Sequence, residues 1–127
     1  MKYPKSSAVY AVAVGSLMAA MWLFFLASGQ VPELRTEPVR IALHLAGELA
    51  TAALLLLTGV ATLRRHPWGA VLLPFALGLL TYTVIVSPGY YAQRGQWSFV
   101  ALFAALLALT VFFLALASRR LLSALRK

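Results

Sequence analysis

A chain of 127 residues, 62% hydrophobic and only 11% charged, carries a net charge of +8 and no cysteine. A water-soluble domain is about half apolar and about a quarter charged, so this chain lacks the polar surface to cover an apolar core and must use lipid as part of its solvent. The missing cysteines exclude a disulfide framework, a thiolate nucleophile and a Cys-based metal site; nucleic acid is excluded as a partner because no soluble basic domain exists to hold it.

A helix needs about 20 apolar residues to cross the hydrocarbon core of a bilayer. Four segments reach that length, at about 8–28, 41–63, 68–87 and 97–118. Backbone groups in lipid must be paired within the segment, and runs this long are not barrel strands. The expected fold class is therefore all-α. It is an integral membrane four-helix bundle with up-down-up-down topology and both termini cytoplasmic, forming one transmembrane domain over 1–127.

Lys2 and Lys5 precede the first run. Its length exceeds the apolar stretch of a cleaved secretory signal, so it reads as an uncleaved anchor. Gly15 with Ala11 and Ala19 forms a small-xxx-small pattern that marks a close helix contact. The connection 29–40 carries Pro32 and Pro38, which favour extended chain. In the second run His44, Glu48, Thr51, Thr58 and Thr62 follow a helical spacing and make a polar stripe, expected to face the bundle interior. Arg64-Arg65-His66-Pro67-Trp68 is a tight turn and a topology signal. The third run holds Pro74, which frees the carbonyl near Ala70, then Gly78 and Tyr82. Pro88-Gly89 is expected to end that helix and open a loop to Gln96. After the fourth run, Arg119 to Lys127 mixes leucines with basic residues. It is either an interfacial extension of the helix or a solvated tail.

Lys and Arg set orientation. Lys2, Lys5, Arg64, Arg65, Arg119, Arg120, Arg126 and Lys127 fall on one side, against Arg35, Arg40 and Arg94 on the other. This bias places the chain in the cell (inner) membrane as a multi-pass protein, N-in and C-in. Anionic headgroups on the cytoplasmic side are then expected partners.

The residue with most to say about chemistry is Glu48, the one carboxylate inside a span. A charge near the bilayer centre costs roughly 2.5–3.5 kcal/mol, and such groups are functional candidates by default. The helical rise puts Glu48 about 10 Å below the outer boundary. Trp22, His44 and Tyr82 reach a similar depth on their own helices, and Tyr90, Tyr91 and Arg94 lie just outside. One reading joins these seven residues into a ligand-binding cavity that opens outward, with Arg94 at its rim. The other is a hydrogen-bonded network that only locks helix register. His44 and Glu48 supply two of the ligands a metal would need, which is too few, so no metal and no cofactor are expected.

Size and span number are shared with small multidrug-resistance transporters, but their single carboxylate lies in the first span and this one lies in the second. No family follows from the sequence, and no motif names a reaction. The leading expectation is binding or transport of a small molecule or proton through the outer-half cavity. Four helices enclose no wide pore, so transport would require a homodimer. A non-catalytic subunit or assembly factor is the alternative. An enzyme acting on a lipid or quinone, with Glu48 as acid–base group, comes third.

Overall fold

The computed structural model describes residues 2–126. Lys127, counted above with the basic residues, lies outside them. The described chain forms α1 (Lys5–Ala27), α2 (Glu33–Thr36), α3 (Pro38–Leu63), α4 (Pro67–Val86), α5 (Pro88–Gln93) and α6 (Trp97–Leu125). Four long helices, with α5 extending α4, are apolar enough to cross a bilayer. The protein is a multi-pass membrane protein.

Apolar content alone misplaced several boundaries, and proline explains most of the differences. Pro38 and Pro67 sit in the first turns of α3 and α4, where the missing N–H has no helical partner to lose. Helix α3 therefore begins three residues earlier than its apolar run. Pro88 does the same for α5, a further turn of helix where the sequence suggested open loop. Ser87 keeps α-helical angles (φ −63°, ψ −38°), so the chain passes from α4 into α5 with little change of course. Helix α6 runs on to Leu125, which selects the extended helix over the solvated tail.

Sequential long helices pack side by side, α1 on α3, α3 on α4 and α4 on α6, while α1 and α6 meet more sparingly. The buried core joins Ala8 and Ala11 of α1, Ala52 and Leu55 of α3, and Leu73, Ala76, Leu77 and Leu80 of α4. A separate cluster of Val31, Ile41 and Leu45, flanked by Trp22, Phe25 and Leu26, ties α1 to α3 beside α2. We call that end of the bundle, which also carries α5, the loop end.

Small residues let the backbones approach. A Cβ on Gly15 would stand 3.0 Å from the Ala52 carbonyl oxygen, one on Gly59 2.9 Å from that of Ala8, and one on Gly69 2.7 Å from the Thr62 nitrogen. The small-residue pattern of α1 is thus a contact within the bundle.

The opposite, terminal end is drawn together by residues far apart in sequence. The Tyr3 hydroxyl donates to the Arg65 carbonyl at 2.8 Å, and the half-buried Arg120 donates to the Tyr3 carbonyl at 2.7 Å. Arg65 also closes α3. Its N–H reaches the Thr62 carbonyl and that of His66 reaches Ala61, the paired bonds of a Schellman cap, with Arg65 itself at φ +61°. Helices α1 and α5 end in the same way with Gly29 and Gly95 at the equivalent place, both at φ +71°. A left-handed arginine costs of order 1 kcal/mol. Arg65→Gly is expected to stabilise the protein by about that amount, read as a raised unfolding midpoint in mild detergent.

Among the contacts between α1 and α6, the polar ones fall in the half nearer the termini. The Ser7 hydroxyl donates to the Phe113 carbonyl at 2.9 Å. The fully buried Thr110 donates to the Leu106 carbonyl (2.6 Å) and pairs with the Tyr10 hydroxyl at 2.7 Å. Tyr10 also stacks on Phe113 at 4.6 Å. Tyr10→Phe removes the hydroxyl that reaches Thr110 and, at 3.3 Å, the Leu106 carbonyl, while Thr110 keeps its own-helix acceptor. The expected loss is about 0.6 kcal/mol, the usual value of such bonds in membranes, measured by denaturant titration in detergent.

Candidate functional site

The three threonines of the α3 polar stripe face inward, whereas Glu48 is half-buried and His44 is exposed. Thr51, Thr58 and Thr62 are buried, and each hydroxyl donates to the carbonyl four residues earlier, on Gly47, Leu54 and Thr58, at 2.7–2.8 Å. A threonine bonded in this way presents its methyl group to the neighbouring helix and keeps no hydroxyl proton to offer. These three residues pack the bundle.

Glu48 differs. It is half-buried on the side of α3 that meets α4, and its Oε1 accepts a hydrogen bond from the Thr83 hydroxyl. The Thr83 oxygen lies 3.3 Å from the Ser87 hydroxyl one turn further along α4. A chain of three oxygen-bearing side chains therefore runs from Glu48 through the buried Thr83 to the half-buried Ser87, where α4 gives way to α5 at the loop end. The second carboxylate oxygen has no hydrogen-bond partner among the described residues. It is also not enclosed, because the one buried, unpartnered side-chain polar atom there is the indole nitrogen of Trp22.

Trp22 and His44 form a second, adjoining pair. Their rings meet edge-on at 5.8 Å, and Phe25 closes on the other edge of Trp22 at 6.1 Å. His44 itself is exposed on α3, one turn from Glu48 toward the loop end. The Trp22 N–H thus sits in this layer as a buried donor with nothing to bond.

The rest of the expected layer is arranged otherwise. Tyr82 is 69% exposed and points away from the bundle. Its neighbour Thr83, about 100° around the helix, takes the position beside Glu48. Tyr90, Tyr91 and Arg94 form no rim over the carboxylate. Tyr91 folds onto α6 instead, stacked on Phe99 at 4.6 Å and on Phe103 at 5.9 Å, while the Arg94 guanidinium lies 3.7 Å above the ring of the exposed Tyr90. Depressions of about 330 and 270 Å³ lie at the terminal end, and Glu48 lines neither. Of the seven expected ligand residues, the structure sets Trp22 against His44, places Glu48 one turn along α3 against Thr83, and sets the other four apart.

Outside the spans the electrostatics are simple. Arg40 donates to Glu37 at 2.6 Å, and that bond holds the Glu37 carboxyl below its usual value. Among the described residues this is the one ion pair, and no three His, Cys, Asp or Glu side chains gather as a metal would need.

Residues 1–126 match the family described as Domain of unknown function (DUF8058). The chain belongs to the DUF8058 family. No curated protein and no solved structure matches it.

The partners of Glu48 in this DUF8058 chain were hidden in the sequence for a definable reason. Thr81, Tyr82 and Thr83 are consecutive and span some 200° of a helix that is apolar nearly all round. Polarity alone therefore gave no phase. The one available signal was the four-residue spacing of Thr83 and Ser87, which places two hydroxyls on one face.

Proposed function

We propose that this protein binds a proton, or a small solute that exchanges one, at Glu48 and takes it from the loop end by way of Ser87 and Thr83. The observation that carries this reading is a membrane-depth carboxylate with one oxygen held by Thr83 and the other free and not enclosed. Holding one oxygen fixes the side chain in place. The other is left to receive a proton or a ligand donor. The distribution of Lys and Arg supports an orientation with the loop end outside and both termini in the cytoplasm. Passage across the whole bilayer would use a homodimer, since four helices packed in this way leave no through-going pore.

The test is proton entry into liposomes that enclose a pH-sensitive dye. After an external acid pulse, vesicles holding the wild-type protein should acidify faster than empty ones, and Glu48→Gln should return the rate to that of empty vesicles. Equal rates for wild type and Glu48→Gln would remove the carboxylate from the function.

A second reading, that of a non-catalytic subunit or assembly factor, is supported by α6. Of its 29 residues only Thr110 and Ala117 are buried, which leaves nearly the whole helix for partner helices or lipid. Mass measurement of the protein purified from its own membrane separates the two. A stoichiometric second protein favours the subunit.

A further inference from the structure

A distinct feature lies at the terminal end, remote from Glu48. A lateral depression of about 330 Å³ runs along the last turns of α3, floored by Leu57, Val60 and Ala61 and bordered at its mouth by Arg64, His66 and Trp68. We infer that this groove is a binding site for one anionic phospholipid, with an acyl chain along the apolar floor and the phosphate against Arg64 and His66.

Four observations support the inference. Leu57, Val60 and Arg64 follow one another at steps of three and four, so apolar floor and cation share one face of α3. Val60 and Arg64 are separated by about 6 Å of helix, the spacing at which a lipid changes from hydrocarbon to headgroup. Trp68 is half-exposed and its ring lies against His66 at 6.3 Å and 22°, a flat wall at the level where tryptophan prefers the interface. Finally, the charge is uncompensated. Lys2, Lys5, Arg64, Arg65, Arg119, Arg120 and Arg126 gather at this end, while the three acidic residues of the chain, Glu33, Glu37 and Glu48, are all elsewhere. Arg64 makes no side-chain hydrogen bond and no ion pair among the described residues.

The combination selects the ligand. Inorganic phosphate would use the cations and gain nothing from the leucine floor. A zwitterionic lipid would use the floor but bring its own cation to a site already rich in them. A partner helix seated here would have to bury Arg64 and supply from its own sequence the acid that this end lacks.

The test is native mass spectrometry of the full chain in mild detergent, titrated with phosphatidylglycerol or with phosphatidylcholine of the same acyl chains. The wild type should retain phosphatidylglycerol preferentially. Arg64→Gln should weaken that retention about five-fold, the value of one basic side chain at an anionic surface. Val60→Trp, which fills the groove from an exposed position and leaves every charge in place, should weaken it comparably. Arg126→Gln, at the same end but outside the groove, should leave it unchanged. Circular dichroism confirms that each variant is folded. Equal retention of the two lipids, loss in Arg126→Gln matching that in Arg64→Gln, or retention unaffected by Val60→Trp would each overturn the inference. So would a second protein chain displaced by Val60→Trp in place of a lipid.

Discussion

Gly69→Ala is expected to destabilise the bundle by about 1–3 kcal/mol, the usual cost of forcing a group into a filled core. The first turn of α4 rests directly on the last turn of α3. A methyl group at Gly69 would come within 2.6 Å of the Ala61 side chain, 2.7 Å of the Thr62 nitrogen and 2.8 Å of the Ala61 carbonyl carbon. Two of those three atoms are backbone, so no rotamer change relieves the clash and the helices must separate. Gly47 and Gly78 provide the control, since a Cβ at either meets nothing within 4 Å. Gly47→Ala and Gly78→Ala should each stabilise by roughly 0.5–1 kcal/mol, because alanine loses less chain entropy than glycine in a helix. Denaturant titration in a fixed detergent reads all three variants. A neutral Gly69→Ala would mean that α3 and α4 do not meet as closely as described.

The second large effect concerns Glu48, and it falls on activity while sparing the fold. Glu48→Gln keeps an oxygen for the Thr83 hydroxyl, so stability should change by no more than about 0.6 kcal/mol, the mean value of a membrane hydrogen bond. Proton uptake should nevertheless be lost, because the amide cannot carry the proton. Thr83→Val is the complementary variant. It preserves shape but strips Glu48 of its one donor, at a cost of about 1–3 kcal/mol for an unpaired polar group. Replacing both partners with apolar residues, Glu48→Leu with Thr83→Val, should recover stability while activity stays absent, since two apolar groups remove the penalty along with the bond. Activity that survives in the double variant would reduce the pair to a register lock between α3 and α4.

The four spans and the interior direction of the α3 threonines were legible because they rest on gross polarity and helical period. The bilayer makes one carboxylate among leucines conspicuous. Less legible was anything that depends on a helix's rotation when its polar residues are adjacent, as with Tyr82 and Thr83. Equally hidden was whether a hydroxyl is already spent. Thr51, Thr58 and Thr62 look in sequence like the lining of a polar path, yet each is bonded to its own helix. Arg94 with Tyr90 and Tyr91 shows a third limit. Their chemistry suited a rim over a site, but α5 packs on α6, where Tyr91 stacks on Phe99 and Phe103 and Arg94 covers Tyr90. Proline at a helix start, not a helix stop, decided that.

The most direct measurement is chemical labelling of the protein in liposomes with dicyclohexylcarbodiimide, an apolar reagent that attacks protonated carboxyl groups within the membrane, followed by peptide mass analysis. Modification should be found on the peptide containing Glu48 and be absent from those containing Glu33 and Glu37, which sit in water. A folded protein with Glu48 unmodified, or labelled no faster than the two loop glutamates, would contradict an accessible proton-binding carboxylate at that depth.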